Sequence, residues 1–235
     1  MSRETEIYQD NTHTYDQLIS KQPTLDKVVN GIRPYHQLDV VDLGAGTGRF
    51  ALFLVEQVNS LLCLDNAQPM LAVLEEKLSQ TAYTNWQTMV SDHRELPIAD
   101  NSKDLVLAGW TLSYLASSSL DNWEHNLEQM MAEMTRILRQ GGTVIIFETL
   151  GTAVTSPTKH DYLTSYYELL ESKYGFEHSS IRTDYTFHDM DEAVRLTSYF
   201  FGAEIAKRVE ENGWHIVPEF AGIWVKHKGL EVKMD

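Results

Sequence analysis

The chain has a single cysteine, Cys63, among 235 residues. Neither an internal disulfide nor a cysteine-based zinc site can form from it, and a reducing, cytoplasmic setting is the simplest expectation. Positive charge is also scarce. Nineteen Lys and Arg stand against 34 Asp and Glu, a formal net charge of −15. Lys and Arg form no cluster, whereas duplex binding rests on a cationic footprint. Nucleic-acid and anionic-membrane partners are therefore not expected, and the acidity serves solubility. No apolar run approaches the roughly 20 residues of a membrane span. The opening, MSRETEIYQDNTHTYDQL, is polar and mixed in charge, unlike a secretory signal. Prolines number six, and no proline-rich linker, repeat or low-complexity tract divides the chain. One domain over residues 1–235 is expected.

What is present is an alternation of strands and helices. LDVVDL (38–43) is a continuous apolar strand, and GRFALFLVEQV (48–58) has apolar residues at helical spacing. SLLCLD (60–65) is a second strand, followed by a helix over 67–80 with Pro69 in its first turn. WQTMV (86–90) and KDLVLAGW (103–110) are the third and fourth strands. A long helix is expected within 120–142, capped by Asp121 and ended by Gly141. Its methionines, at helical spacing, read as core filling. TVIIFE (143–148) is a fifth strand. Helices are expected at 161–174 and 189–213, the second kinked at Gly202, with an extended segment at 178–187 and a last strand at 216–228. Continuous apolar strands alternating with helices imply a mostly parallel, doubly wound Rossmann-like sheet covered on both faces.

VVDLGAGTGRF (40–50) runs this first strand directly into three glycines at every second position. In a doubly wound sheet, ligands lie beyond the carboxyl ends of the strands. Glycines there let backbone approach a ligand closely, and the next helix start offers free amides. The dinucleotide fingerprint needs its third glycine one residue later, and position 49 is Arg. The phosphate cradle G-x-x-x-x-G-K-[ST] is absent.

This spacing resembles the first motif of the class I S-adenosylmethionine-dependent methyltransferases, and the likeness continues. LCLDNAQPML (62–71) is similar to that family's acidic second-strand end. SDHRELPIADNSKDLVLAGWTLSYL (91–115) is similar to its third motif and fourth strand, and EMTRILRQGGTVIIFE (133–148) to its helix, Gly-Gly and fifth strand. The resemblance covers about residues 38–148. It implies a seven-stranded sheet, S-adenosyl-L-methionine as cofactor and a small-molecule methyl acceptor.

The residues can be placed in that light. Asp65, about twenty residues past the first glycine at a strand end, is suited to accept both ribose hydroxyls; its other role is to cap the following helix. Asn66 stands beside it. Asp92 follows the third strand, where it can accept from an adenine amino group, and His93 can offer its amide to the ring. Gly44, Ala45 and Gly46 supply close backbone at the methionine end. Asp42 either orders the glycine loop or takes the cofactor's ammonium. Trp110, with Thr111, ends the fourth strand near the sulfonium position or belongs to the core. NTHTYDQLI (11–19) is similar to a short lid in small-molecule members, with Tyr15 covering the cofactor.

Catalytic residues are not fixed by the sequence. Methyl transfer is an in-line displacement on an activated carbon, so alignment and exclusion of water dominate. His160 and His188 lie in the variable part and read as surface loop residues before they read as bases. No Asn/Asp-Pro-Pro-Tyr segment of amino-directed DNA enzymes occurs, and Cys63 reads as a buried thiol. Metal binding has no support from histidine spacing. Two other readings stand beside transfer: a dinucleotide-dependent Rossmann enzyme, and a fold that binds the cofactor only to regulate a partner. Residues 151–213, with Tyr162, Tyr166, Tyr167, Tyr199, Phe200 and Phe201, are expected to form a helical insertion on the acceptor side; docking of both helices onto the sheet is the competing expectation.

Overall fold

The computed structural model describes residues 11–229; residues 1–10 and 230–235 lie outside them. The main sheet has seven strands: β1 Asp39–Leu43, β2 Ser60–Asp65, β3 Trp86–Val90, β4 Lys103–Gly109, β5 Leu138–Thr152, β6 Glu177–Arg182 and β9 Glu219–His227. Their order is β3-β2-β1-β4-β5-β9-β6. Strands β1 to β5 pair in parallel, and β9 runs antiparallel to both β5 and β6. Order reverses at β1, between β2 and β4, which is where such sheets open a crevice.

The apolar strands are buried on both sides because each face is covered. On one face Val41, Val106 and Ile146 pack with Ala116 of α5 (Ser113–Ala116), with Leu127, Met130 and Met134 of α6 (Trp123–Ile137) and with Tyr166 and Tyr167 of α7 (Asp161–Ser172). On the other, Val40, Cys63, Leu107 and Phe147 pack with Val29 of α2 (Asp26–Ile32), Leu54 of α3 (Ala51–Leu54) and Leu74 of α4 (Gln68–Ser79). Cys63 is fully buried and its thiol is pushed well up by burial, so it is an inert core residue.

A third cluster sits apart. It joins Leu18 of α1 (Thr12–Ile19) to Tyr185 of β7 (Tyr185–Thr186), Ala193 and Leu196 of α8 (Met190–Phe201), Val209 of α9 (Ala203–Glu211) and Val217 of β8 (Ile216–Val217). Topology fixes its place. β6 ends and β9 begins at the edge where the parallel strands have their carboxyl ends. The segment between them, residues 183–218, therefore emerges on the same edge as the glycine loop.

Five boundaries depart from the sequence expectation. Within 48–58 only Ala51–Leu54 is regular helix, because hydrogen bonds alternate between four-residue spacing (Leu54 N to Phe50 O) and three-residue spacing (Phe53 N to Phe50 O, Gln57 N to Leu54 O). The long helix starts at Trp123 after Asn122, without a side-chain cap, so Asp121 does not cap it. Gly141 does not end that helix. The chain enters β5 at Leu138, and Gly141, φ +76°, lies where the register slips between Lys103↔Leu138 and Leu105↔Thr143. At Gly202 the expected kink is a full break, since φ +92° with ψ 173° is open only to glycine. Pro218 likewise divides the last strand into β8 and β9.

Candidate functional site

The carboxyl edge around β1 is built by its glycine loop. Gly44 has φ +68°, and a Cβ there would collide with the Thr111 side chain. Only glycine lets Thr111, just past β4, come this close to the loop. Ala45 is buried and donates its amide to the Leu64 carbonyl (2.9 Å). The Gly46 amide donates to Asp65 Oδ2 (2.9 Å), and Asp65 Oδ1 accepts from Ala67 N (2.9 Å). Asp65 thus ties the glycine loop to the start of α4, next to its expected place at the helix start. A carboxylate offers about four accepting positions, so these bonds leave capacity for ribose hydroxyls. Burial raises its pKa, and the Ala67 and Gly46 amides pull it back. Asn66 beside it is exposed.

Asp42 lies beneath the loop, fully buried, and neither carboxylate oxygen has a hydrogen-bond partner. Burial pushes its pKa well above the ordinary carboxylate value, and Asp65 adds to that. A buried carboxylate without partners is costly. Its presence under a glycine cradle fits a cationic group from outside the chain, such as the ammonium of S-adenosylmethionine, and the residues here suit that cofactor.

The adenine side is less formed. Asp92 is drawn outward by Arg94, whose guanidinium pairs with it at 2.6 Å and whose amide donates to Asp92 Oδ1 at 2.8 Å. These hydrogen bonds hold its pKa low. The His93 side chain turns inward instead. Its Nε2 is 2.9 Å from Thr111 Oγ1, Nδ1 has no partner, and burial lowers its pKa to about 4. It is a neutral imidazole bracing Thr111.

Trp110 closes the third side. Its φ of +52° is uncommon for a bulky residue. It is stacked on Phe147 (centroids 5.9 Å apart) and carries the Arg49 guanidinium on its ring, 4.0 Å from the centroid. So it packs against the core on one side and under Arg49 on the other. Tyr15 lies against Gly46 and against Phe200 of α8 (centroids 5.6 Å). Lys77 of α4 fastens α1 here, pairing with Asp16 and donating to the Thr47 carbonyl at 3.0 Å.

Three charged groups escaped the sequence reading. Arg49 follows the glycines and is also bonded to Gln22. Glu148, at the β5 end, accepts from Ser113 N (3.0 Å) and from the Tyr166 hydroxyl (3.4 Å); burial raises its pKa to about 7. Glu219, at the β9 start, accepts from the Thr149 hydroxyl (3.4 Å); burial raises its pKa to about 8. One signal was there to be read. Asp42, Asp65 and Glu148 are all lone acids in or closing apolar strands, and Glu219 opens one.

His160 is partly buried and stacks on Tyr162, while His188 is exposed beside Asp189; neither joins the glycine-loop side chains. Among the described residues no cluster of His, Cys, Asp or Glu could hold a metal ion. A surface groove of about 390 Å³ is lined by Lys21, Gln22, Arg182 and Asp184; Gln22 also bonds Arg49, just past the glycines.

Comparison with known proteins agrees with this geometry. Residues 41–146 match the family model of a methyltransferase domain. The chain is 30% identical over 139 residues to malonyl-[acyl-carrier protein] O-methyltransferase of Hamiltonella defensa, covering 59% of this chain and 48% of that protein. It is 30% identical over 139 residues to phosphoethanolamine N-methyltransferase 1 of Triticum aestivum, covering 56% and 26%. The chain thus spans about half, or less, of the curated relatives it matches. In fold it is similar to phosphoethanolamine N-methyltransferase 2 of Haemonchus contortus, solved with phosphomonomethylethanolamine and S-adenosylhomocysteine (TM-score 0.64, 14% identity, 96% of this chain and 58% of that one). The middle of the chain, residues 41–146, is thus similar to a methyltransferase domain, and a solved structure of similar fold holds S-adenosylhomocysteine.

Proposed function

We propose that the protein transfers a methyl group from S-adenosylmethionine to a small-molecule acceptor. The observation that carries this reading is Asp42, a fully buried carboxylate with no partner, set under a loop of three positive-φ glycines. The cofactor, when bound, supplies an electrophilic methyl carbon. The chain's part is to hold and enclose. Asp65 and the Gly44–Gly46 backbone would fix the ribose and methionine ends, with Asn66 beside them. Asp92 and His93 would frame the adenine, Asp92 after release from Arg94. Tyr15 and Trp110 would flank the transfer position and exclude water.

The two curated relatives act on a carrier-bound malonyl group and on phosphoethanolamine, so relatives of this domain serve both carboxylate and amine acceptors. For this chain a free small molecule is preferred, because a net charge of −15 gives no basic surface on which to seat a negatively charged macromolecule. Among the described residues no helix is long and apolar enough to cross a membrane. A cytoplasmic enzyme without nucleic-acid or membrane partners is the consistent proposal. In this proposal residues 183–218 and α1 form the acceptor side of one domain, while α7 is scaffold.

Calorimetry with S-adenosylhomocysteine tests the cofactor site directly. Binding should raise the melting temperature by mass action on the folded state, and NADH should leave it unchanged. A rise with NADH and none with the nucleoside would reinstate the dinucleotide reading. Steeply salt-dependent retention of duplex DNA or tRNA would overturn the small-molecule assignment.

A further inference from the structure

The sheet ends in two unlike edges. Among the described residues β3 pairs only with β2, and β6 only with β9, so each has a free side. β6 carries Glu177, His178 and Arg182, and charges on an edge deter a further strand. β3, WQTMV, has no charged residue and no proline. Its register with β2 runs unbroken from Leu61↔Trp86 to Asp65↔Val90, so no bulge twists the edge away. It also shows apolar surface, with Met89 42% and Val90 49% exposed. β3 thus lacks the charges, proline and bulges by which edges usually avoid pairing.

The free side of β3 can be assigned residue by residue. Along a strand, the amide and carbonyl of successive residues turn to opposite sides. Toward β2, the Asn85 carbonyl accepts from Leu61 N (2.8 Å) and the Ser91 amide donates to Asp65 O (3.0 Å). Odd-numbered residues therefore serve the β2 ladder, and the backbone groups of Trp86, Thr88 and Val90 face outward. The side chains of these three share the face covered by α4. There the Thr88 hydroxyl donates to Glu75 of that helix, and Trp86 packs on the core beneath it. Gln87 and Met89 lie exposed on the opposite face.

We propose that this edge pairs with its own copy, β3 antiparallel to β3 about a two-fold axis at Thr88, so that two seven-stranded sheets join into one. A two-fold contact must be complementary to itself, and this strand is. Centred on Thr88, the pairing sets Thr88 opposite its copy, and Trp86 opposite Val90 on either side. Threonine–threonine and aromatic–β-branched pairs are among those that stabilise antiparallel strands. The residues that meet are those with outward backbone groups, so each exchanges its amide and carbonyl with its opposite. On the other face Met89 covers Gln87. On a chain of net charge −15 the lack of charge in WQTMV is decisive, because no like charges fall opposite one another along the strand. Glu75 and its copy flank the axis, a repulsion that salt screens. A five-residue strand is a small contact, so the dimer is of micromolar strength.

Sedimentation velocity across the micromolar range tests the pairing. Monomer should pass into dimer as concentration rises, and added salt should favour the dimer, because two copies of charge −15 repel. Hydrogen exchange followed by NMR locates the contact. The amides of Trp86, Thr88 and Val90 should exchange more slowly as dimer forms, while those of Gln87 and Met89, already in the β2 ladder, should change little. Thr88→Pro removes an outward amide, which an edge strand tolerates, and should weaken the dimer about tenfold or more. Met89→Glu adds charge to the same edge; it should weaken the dimer as well, and it decides the matter if Thr88→Pro fails to fold. Ser179→Glu on β6 is the control and should leave the dimer intact. A chain that stays monomeric throughout, a dimer that survives a folded β3 variant, or one lost with Ser179→Glu would each overturn the proposal.

Discussion

The Gly46 amide donates to Asp65 Oδ2 across 19 residues of sequence, at 2.9 Å. The end of β2 therefore sets the shape of the loop that follows β1. Asp65→Ala removes the acceptor of two backbone amides, those of Gly46 and Ala67. It should lower the melting temperature of the ligand-free protein and weaken S-adenosylhomocysteine by about 1–3 kcal/mol. Calorimetry and a thermal scan read both. An affinity loss without loss of stability would separate ribose binding from loop closure.

Asp42 should show the opposite balance. Its carboxylate is buried and unpartnered, a cost the ligand-free fold bears. Asp42→Asn should make the ligand-free protein more stable, by about 1 kcal/mol, while S-adenosylhomocysteine binds less well. Such exchange of stability for function is common at binding sites. If the affinity is unchanged, the ammonium role of Asp42 is wrong.

The aromatic residues after Gly151 divide into two groups. Tyr166 and Tyr167 of α7 are fully buried against Trp224 and the sheet, so this helix is part of the main core. Tyr166→Ala should cost about 3–5 kcal/mol of stability and carry ligand affinity down with it. Phe200 is half-buried and touches Tyr15. Phe200→Ala should leave the fold and S-adenosylhomocysteine affinity close to wild type and impair acceptor handling. A Phe200→Ala protein as unstable as Tyr166→Ala would make α8 scaffold too.

Stability should fall as pH rises through neutrality toward about 8. Burial lifts Glu148 from 4.5 to about 7 and Glu219 from 4.5 to about 8. Between those values the folded state keeps protons that the unfolded chain has released, so the stability present at low pH is lost as pH rises. His93 acts in the other direction, with a folded pKa of about 4 against 6.5 unfolded, and its effect is nearly complete about one pH unit above the unfolded value. From pH 6.5 to 8.5 the loss should be on the order of 2 kcal/mol. Glu219 is faced by Arg49, Asp184, Tyr185 and Tyr167. Chemical denaturation across this range should show a shallower slope for Glu219→Gln; an identical slope would remove Glu219 as the titrating group.

The glycine loop and its acids were legible because they are written in sequence order at strand ends: Asp42 before the glycines, Asp65 closing SLLCLD and Asp92 after the third strand. The charged groups around them were not. Arg49, Glu148 and Glu219 lie far apart in the chain, and no local pattern joins them.

By itself the sequence determined the alternation of strands and helices, the two buried sheet faces, and the glycine loop with its acids. These follow from local periodicity and from backbone geometry that only glycine permits. Tertiary structure alone decided that α7 belongs to the core while α8 and α9 sit at the carboxyl edge. The reason is antiparallel β9, which returns the chain to that edge and makes residues 183–218 protrude there. It also decided which charges meet. Arg49 and Glu219 are 170 residues apart in sequence, and only the position of β9 beside β5 brings the carboxylate within reach of the guanidinium's field.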